Sequence, residues 1–191
     1  MILANTTAGE LWHNLINAEC LTSIINSETF TKGIVFVKTR EKLQELVSEL
    51  FARGIKTIWL RGEMPQDKRM KAIENFHNGR ANVLIATDVA ARGLDVTDIS
   101  HVVNYDMPYG PDIYVHRIGR TARAGAKGYA ISLIEAHEMG VVKKIERYTD
   151  QTFKHRKIKG LEPKHKEAAV PVKRKKPHKK KLAKAAKKKK K

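Results

Sequence analysis

One cysteine, Cys20, stands in 191 residues. A lone thiol excludes an intramolecular disulfide and a cysteine-rich zinc centre, and it fits a reducing compartment. The run G-x-x-x-x-G-K-[S/T] is absent, as is any Gly-Lys dipeptide, so no P-loop can cradle phosphates. No acidic cluster stands beside such a loop to hold magnesium. The eight histidines are scattered without metal-ligand spacing, which predicts no metal site. No nucleophile-elbow pattern occurs either. The opening MILANTTAGE has no charged flank followed by a long apolar run, and no stretch approaches the roughly 18 apolar residues of a membrane span. The expectation is a soluble, cytoplasmic chain with no membrane partner.

Charge of one sign is also missing from most of the chain. Residues 1–153 carry 19 Lys+Arg against 18 Asp+Glu, so this part is nearly neutral. Residues 154–172 carry 6 against 2, and residues 173–191 carry 13 against none, which accounts for the formal +18. The basicity is therefore a tail. Its lysine runs, broken by Pro163, Pro171 and Pro177 and almost without large apolar residues after Leu161, cannot bury enough surface to offset chain entropy. Three segments are expected: a disordered or linking stretch over 1–9, a folded domain over 10–153 and a disordered Lys-rich tail over 154–191.

Within the domain, Leu11, Trp12, Leu15, Ile16, Leu21, Ile24 and Ile25 recur at helical spacing. Gly33 then opens IVFV, a β-branched and aromatic run that reads as a buried strand. Strands near 56–60, 82–86, 101–105 and 128–134 alternate with helices over 43–51, 65–77, a short one after residue 87, 111–120 and 136–148. This alternation predicts an α/β fold with a mostly parallel sheet covered by helices on both faces. In such folds ligands bind beyond the C-terminal ends of the strands. Lys38-Thr39-Arg40, Arg61-Gly62-Glu63, Thr87-Asp88 and Asp106 all fall there.

The densest signal is HRIGRTAR, residues 116–123, with three arginines and a histidine in eight positions. Guanidiniums so close together repel one another and suit a polyanion better than a core. Pro111 fits a first helical turn, and helical geometry extended to residue 123 would put His116, Arg120 and Arg123 on one face. In ATDVAARGLDV (86–96), Asp88 is expected to cap the short helix and Gly93 to end it, leaving Arg92 and Asp95 without a core role. Gln66 and Arg69 stand on the polar side of their helix, with Met70, Ile73 and Phe76 pointing away.

IVFVKTR (34–40), RGEMPQDKRMKAIENF (61–76), VLIATDVAARGLDV (83–96), VVNYDMP (102–108) and YVHRIGRTARAGAKGYAISLI (114–134) resemble, in order and spacing, the C-terminal RecA-like domain of DEAD-box RNA helicases. His116 before Arg117 is similar to the DEAD-box form, where related helicases usually carry Gln. Ala122 departs from the pattern, since most members have Gly there. The resemblance implies a three-layer RecA-like fold. It also implies that Arg120 and Arg123 are arginine fingers for the γ-phosphate of ATP, that His116 links the ATP and RNA states, and that Asp95, with Gly93, lies at the ATP ribose. Gln66, Arg69, Thr87, Asp88, Arg92 and Gly93, with Lys38, Thr39 and Arg40, would then grip RNA phosphates without reading sequence, and Arg117 would be structural.

The same resemblance places the P-loop and most of the ATP and Mg2+ site on an N-terminal RecA-like domain outside these residues. It implies half of an ATP-dependent helicase that remodels single-stranded or short duplex RNA, inactive without its other half. The tail, with GEM at 62–64 and AHE at 136–138, is similar to bacterial members of large-ribosomal-subunit assembly and points to ribosomal RNA. The alternative expectation is a free-standing RNA- or partner-binding module with no ATPase activity.

Overall fold

A computed structural model describes residues 2–3, 10–122 and 127–154, with side chains from residue 17 onward except that of Ala136. Arg123 and the tail from residue 155 lie outside the described residues. The strands are β1 (Ile2–Leu3), β2 (Gly33–Val37), β3 (Thr57–Leu60), β4 (Val83–Thr87), β5 (His101–Asn104) and β6 (Tyr129–Ile134). The helices are α1 (Glu10–Ile25), α2 (Arg40–Ala52), α3 (Gln66–His77), α4 (Pro111–Ile118) and α5 (Met139–Thr149), the last entered through a 3-10 turn over Ala136–Glu138.

The strands lie in the order β1-β6-β5-β2-β4-β3, and each described pairing is parallel. Central β2 and β4 are buried along their whole length, as near-continuous apolar runs must be when both faces of a sheet are covered. Alternation along β2 divides the core. Val35 and Val37 face one side with Leu21, Leu43, Leu46 and Leu50 of α1 and α2, whereas Ile34 and Phe36 face the other with Phe76 of α3 and Leu60. A third cluster seats α4 and α5 through Tyr114, Met139, Val142 and Ile145. These layers give the parallel, doubly covered sheet that the alternation of elements predicts and the three-layer RecA-like fold that the resemblance implies.

Four sequence expectations change. Ile2–Leu3 is not linker but a strand in register with Leu133 and Ile134. The short helix after β4 is instead a series of turns over 88–93, in which one helical bond, from the Ala91 amide to the Thr87 carbonyl at 3.0 Å, is not continued. Helix α4 stops at Ile118, with Gly119 as its C-cap. His116 and Arg120 therefore do not continue along one helical face. Met70 points outward and is 55% exposed, because the apolar side of α3 is carried by Ala72, Ile73 and Phe76 alone.

His101, only 1% exposed, opens β5 between two rings, 5.0 Å from Phe30 and stacked 4.7 Å from Tyr129. Burial holds its imidazole below the ordinary 6.5. The unfolded chain therefore binds this proton more readily than the folded one, so stability is complete above the ordinary value and falls as pH drops through it. Urea midpoints at about pH 8 and about pH 5 should differ less for His101→Gln than for the wild type. An identical difference in both proteins would assign the pH dependence to other groups.

Candidate functional site

The C-terminal ends of β2, β3 and β4 are neighbours in the sheet, so the segments after them form one continuous edge. Arg40 bridges two of these segments, its guanidinium donating to both carboxylate oxygens of Glu63 at 2.8 Å. The pairing holds the Glu63 carboxyl below, and the Arg40 guanidinium above, their usual ranges. Both side chains are exposed, so the pair opens at little cost. Thr39 caps α2 by accepting the Lys42 amide at 3.1 Å. Lys38 gives its ammonium to Glu138 at 3.1 Å and its backbone amide to Asp106 at 2.8 Å. Burial pushes the Asp106 carboxyl above its usual range, and that amide offsets only part of the rise.

Beside this edge, a cavity of about 290 Å³ is lined by Phe36, the 88–93 turns and one side of α4. It brings together Asp88, Arg92, Gly93, His116 and Arg120, five of the site residues singled out from sequence. Arg120 donates to the Leu94 carbonyl at 3.0 Å, and Arg69 reaches from α3 to the Arg92 carbonyl at 3.3 Å. The ring of His77 lies 3.2 Å from the Asp95 carbonyl. The loop between β4 and β5 is thus gripped through its backbone oxygens. Gly93 has φ +66°, a conformation that favours glycine, which explains its place at the turn exit. Gln66 stands exposed at the start of α3 and Thr87 is buried at the end of β4, so neither lines the cavity.

Arg117 is the floor of this site, and it is 1% exposed. The sequence argument that clustered guanidiniums serve little purpose in a core is wrong here. Its Nε and Nη2 donate to the two oxygens of Asp88 at 2.6 and 2.9 Å. Nη1 donates to Asn104 Oδ1 at 3.0 Å and to the Asp106 carbonyl at 2.7 Å. The guanidinium also lies 5.0 Å from the centre of the Phe36 ring. A charge can be buried when its donors are this fully matched. Asp88 therefore caps no helix, because both oxygens serve Arg117. Asn104 in turn donates to Ser132 at 3.0 Å, carrying the network to β6. Sequence reasoning passed over Asn104 and Ser132, although a polar residue inside an otherwise apolar buried strand is itself the signal of such a network.

The turn after α4 sets where Arg120 points. Thr121 is buried and donates its hydroxyl to the Ile99 carbonyl. A Cβ on Gly128 would meet the Ala122 amide nitrogen at 2.6 Å, so only glycine lets β6 start this close. Ala122 has φ +55°, a left-handed conformation, which gives a physical reason for the glycine of the family pattern.

The fold and this arginine-lined edge define a RecA-like domain of the helicase class. A family model, "Helicase conserved C-terminal domain", matches residues 16–125, and the chain belongs to that family in its DEAD-box RNA helicase form. The chain is 51% identical over 146 residues to the ATP-dependent RNA helicase SrmB of Haemophilus influenzae, covering 76% of this chain and 33% of that protein. It spans about a third of the length of the curated SrmB relatives it matches. Among solved structures, Escherichia coli DEAD-box protein SrmB bound to regulator of ribonuclease activity A superposes with a TM-score of 0.81 at 44% identity, covering 88% of this chain and 96% of that one. Saccharomyces cerevisiae Dbp5 bound to RNA and ADP BeF3 gives 0.69 at 30% identity, covering 83% and 41%.

Arg117→Met leaves the Asp88 carboxylate without its cation and should cost about 3–5 kcal/mol in urea unfolding. Asp88→Asn should cost at least as much, since it leaves the guanidinium, only 1% exposed, without its anion, whereas the 25% exposed carboxylate can draw on water. Equal and small losses would deny the network its structural weight.

Proposed function

We propose that this chain supplies the second RecA-like domain of an ATP-dependent RNA helicase acting in the cytoplasm. The observation that carries the reading is the position of Arg120. It is partly buried at the cavity and held by a carbonyl, with no carboxylate at salt-bridge distance among the described residues. A cation fixed in this way is preorganised for an anion from outside the domain. Nothing in the sequence could cradle that phosphate by itself, so the nucleotide with its Mg2+ is held mainly by another domain carrying the P-loop. ATP supplies the phosphoryl transfer. Arg120, with Arg123 three residues on, neutralises charge at the γ-phosphate when the domains close, and Asp95 with Gly93 meets the ribose. His116, exposed at the same cavity, reports nucleotide state to the RNA edge.

Along that edge, Gln66, Arg69, Thr87, Arg92 and Gly93 grip the phosphates of a single strand or short duplex without reading bases, with Lys38, Thr39 and Arg40 beside them. Asp88 belongs to this set as a positioning residue, through Arg117. Closure bends one strand and opens a few base pairs, and hydrolysis resets the cycle. The relative solved with RNA and ADP BeF3 supports this reading, since it shares the fold. The lysine tail adds affinity for structured RNA, with ribosomal RNA the favoured class.

The purified chain should not hydrolyse ATP on addition of RNA. Joined to the N-terminal domain of the Haemophilus influenzae SrmB, it should do so, and Arg120→Ala should lower turnover by about 10³–10⁵ with little change in RNA affinity. Turnover by the chain alone, lost in Arg120→Ala, would overturn the two-domain reading. No turnover in the fusion would favour a binding module.

If the tail neutralises about six phosphates, log K for duplex RNA should fall with a slope near −5 against log salt, and deleting residues 160–191 should flatten it. An unchanged slope would remove the tail from the interface.

A further inference from the structure

Among the described residues, strand β3 closes one side of the sheet and pairs only with β4. Half of its backbone amides and carbonyls therefore face outward with no ladder partner. The surface around this open edge is a groove lined by Val47 and Phe51 of α2, Thr57, Ile58 and Trp59 of β3, and, from α3 and the turn after it, Asn75, Arg80 and Ala81. Phe51 is 79% and Trp59 36% exposed. Ile58 packs on the α3 side with Ile73 and Phe76, so by strand alternation Trp59 stands on the α2 side, with the Arg61 guanidinium 5.7 Å from its ring. The groove reaches Lys56 and Ala81 at the N-terminal ends of β3 and β4, away from the edge assigned to RNA and nucleotide.

We propose that the open edge of β3 takes an extended, acidic peptide segment of another protein as an added strand. Charge selects this occupant. The lining includes two cations, Lys56 and Arg80, and no acidic residue, and neither cation has a carboxylate at salt-bridge distance among the described residues. A second copy pairing antiparallel through β3 would set Lys56 against Arg61 of its mate, and like charges opposed across strands are unfavourable. The chain's own lysine tail carries the same sign. An added strand points successive side chains to opposite faces. Apolar residues then meet Trp59 and Phe51 on the α2 side, while the alternating acidic residues meet Arg80 on the α3 side. Isolated cations flanking an edge strand can serve merely to discourage aggregation. They do not account for two large aromatics left open beside it.

The probe is a fluorescein-labelled decapeptide alternating glutamate with valine or isoleucine, titrated against the full chain by fluorescence anisotropy. Saturable binding is expected, weakened at least about tenfold by Arg80→Glu with Lys56→Glu, and similarly by Trp59→Thr. Methylating alternate peptide nitrogens, which removes strand donors and keeps every charge, should weaken it equally. These residues are exposed, and thermal unfolding of each variant checks the fold. Absence of saturable binding overturns the proposal, as does affinity that ignores both the variants and the methylation, which would place the peptide on the lysine tail. Competition by a ten-nucleotide oligouridine that is itself lost in Trp59→Thr would reassign the groove to nucleic acid.

Discussion

The structure depends on one buried cation. The Arg117 guanidinium lies at the junction of four segments that the chain supplies far apart: the turn after β4, the end of β5, helix α4 and, through Asn104, strand β6. Removing a charge from water costs several kcal/mol, and such a group persists only where geometry matches every donor. The requirement works in reverse as a specification. Asp88, Asn104 and the Asp106 carbonyl can all be satisfied together in one arrangement of β4, β5 and α4, so the floor of the cavity is fixed before any ligand arrives. Burial of Phe36 beneath the guanidinium joins this polar knot to the apolar layer around α3.

Most of the fold was legible because the buried strands are short β-branched runs and the helices carry their apolar residues at helical spacing. The errors share one cause, a side chain whose partner is distant in sequence. Asp88 reads locally as a helix cap, yet Arg117, 29 residues on, claims both oxygens, and the helix it would have started does not form. Arg117 reads locally as one of three clustered cations suited to a polyanion; the resemblance alone marks it as structural, in agreement with the four acceptor oxygens that converge on it. Helix α4 looked longer than it is because Arg120 continues its spacing, whereas Gly119 and the buried Thr121 hydroxyl turn the chain toward Ile99. For the candidate site, Asp88, Arg92, Gly93, His116 and Arg120 meet at the cavity, whereas Gln66, Arg69, Thr87 and Asp95 do not line it, and how the first group is held was not legible in the sequence.

Two edges of the sheet differ in kind. Beyond the C-terminal ends of the strands, Lys38, Arg40, Arg69 and Arg120 are each anchored by an oxygen. Along the lateral edge, β3 leaves backbone groups and two aromatic rings open, and Lys56 and Arg80 have no carboxylate at salt-bridge distance among the described residues. A domain built this way can engage ligands at one edge without covering the other.

The hold on the loop between β4 and β5 has a further consequence. Arg69 and Arg120 are fixed by peptide carbonyls, which do not titrate and carry no net charge. A carboxylate in either place would cancel the cation it positioned, and would release it in acid. With carbonyls the full positive charge is retained and its direction does not change with proton concentration. Orientation and electrostatic strength, which ion pairing usually trades against each other, are here set independently.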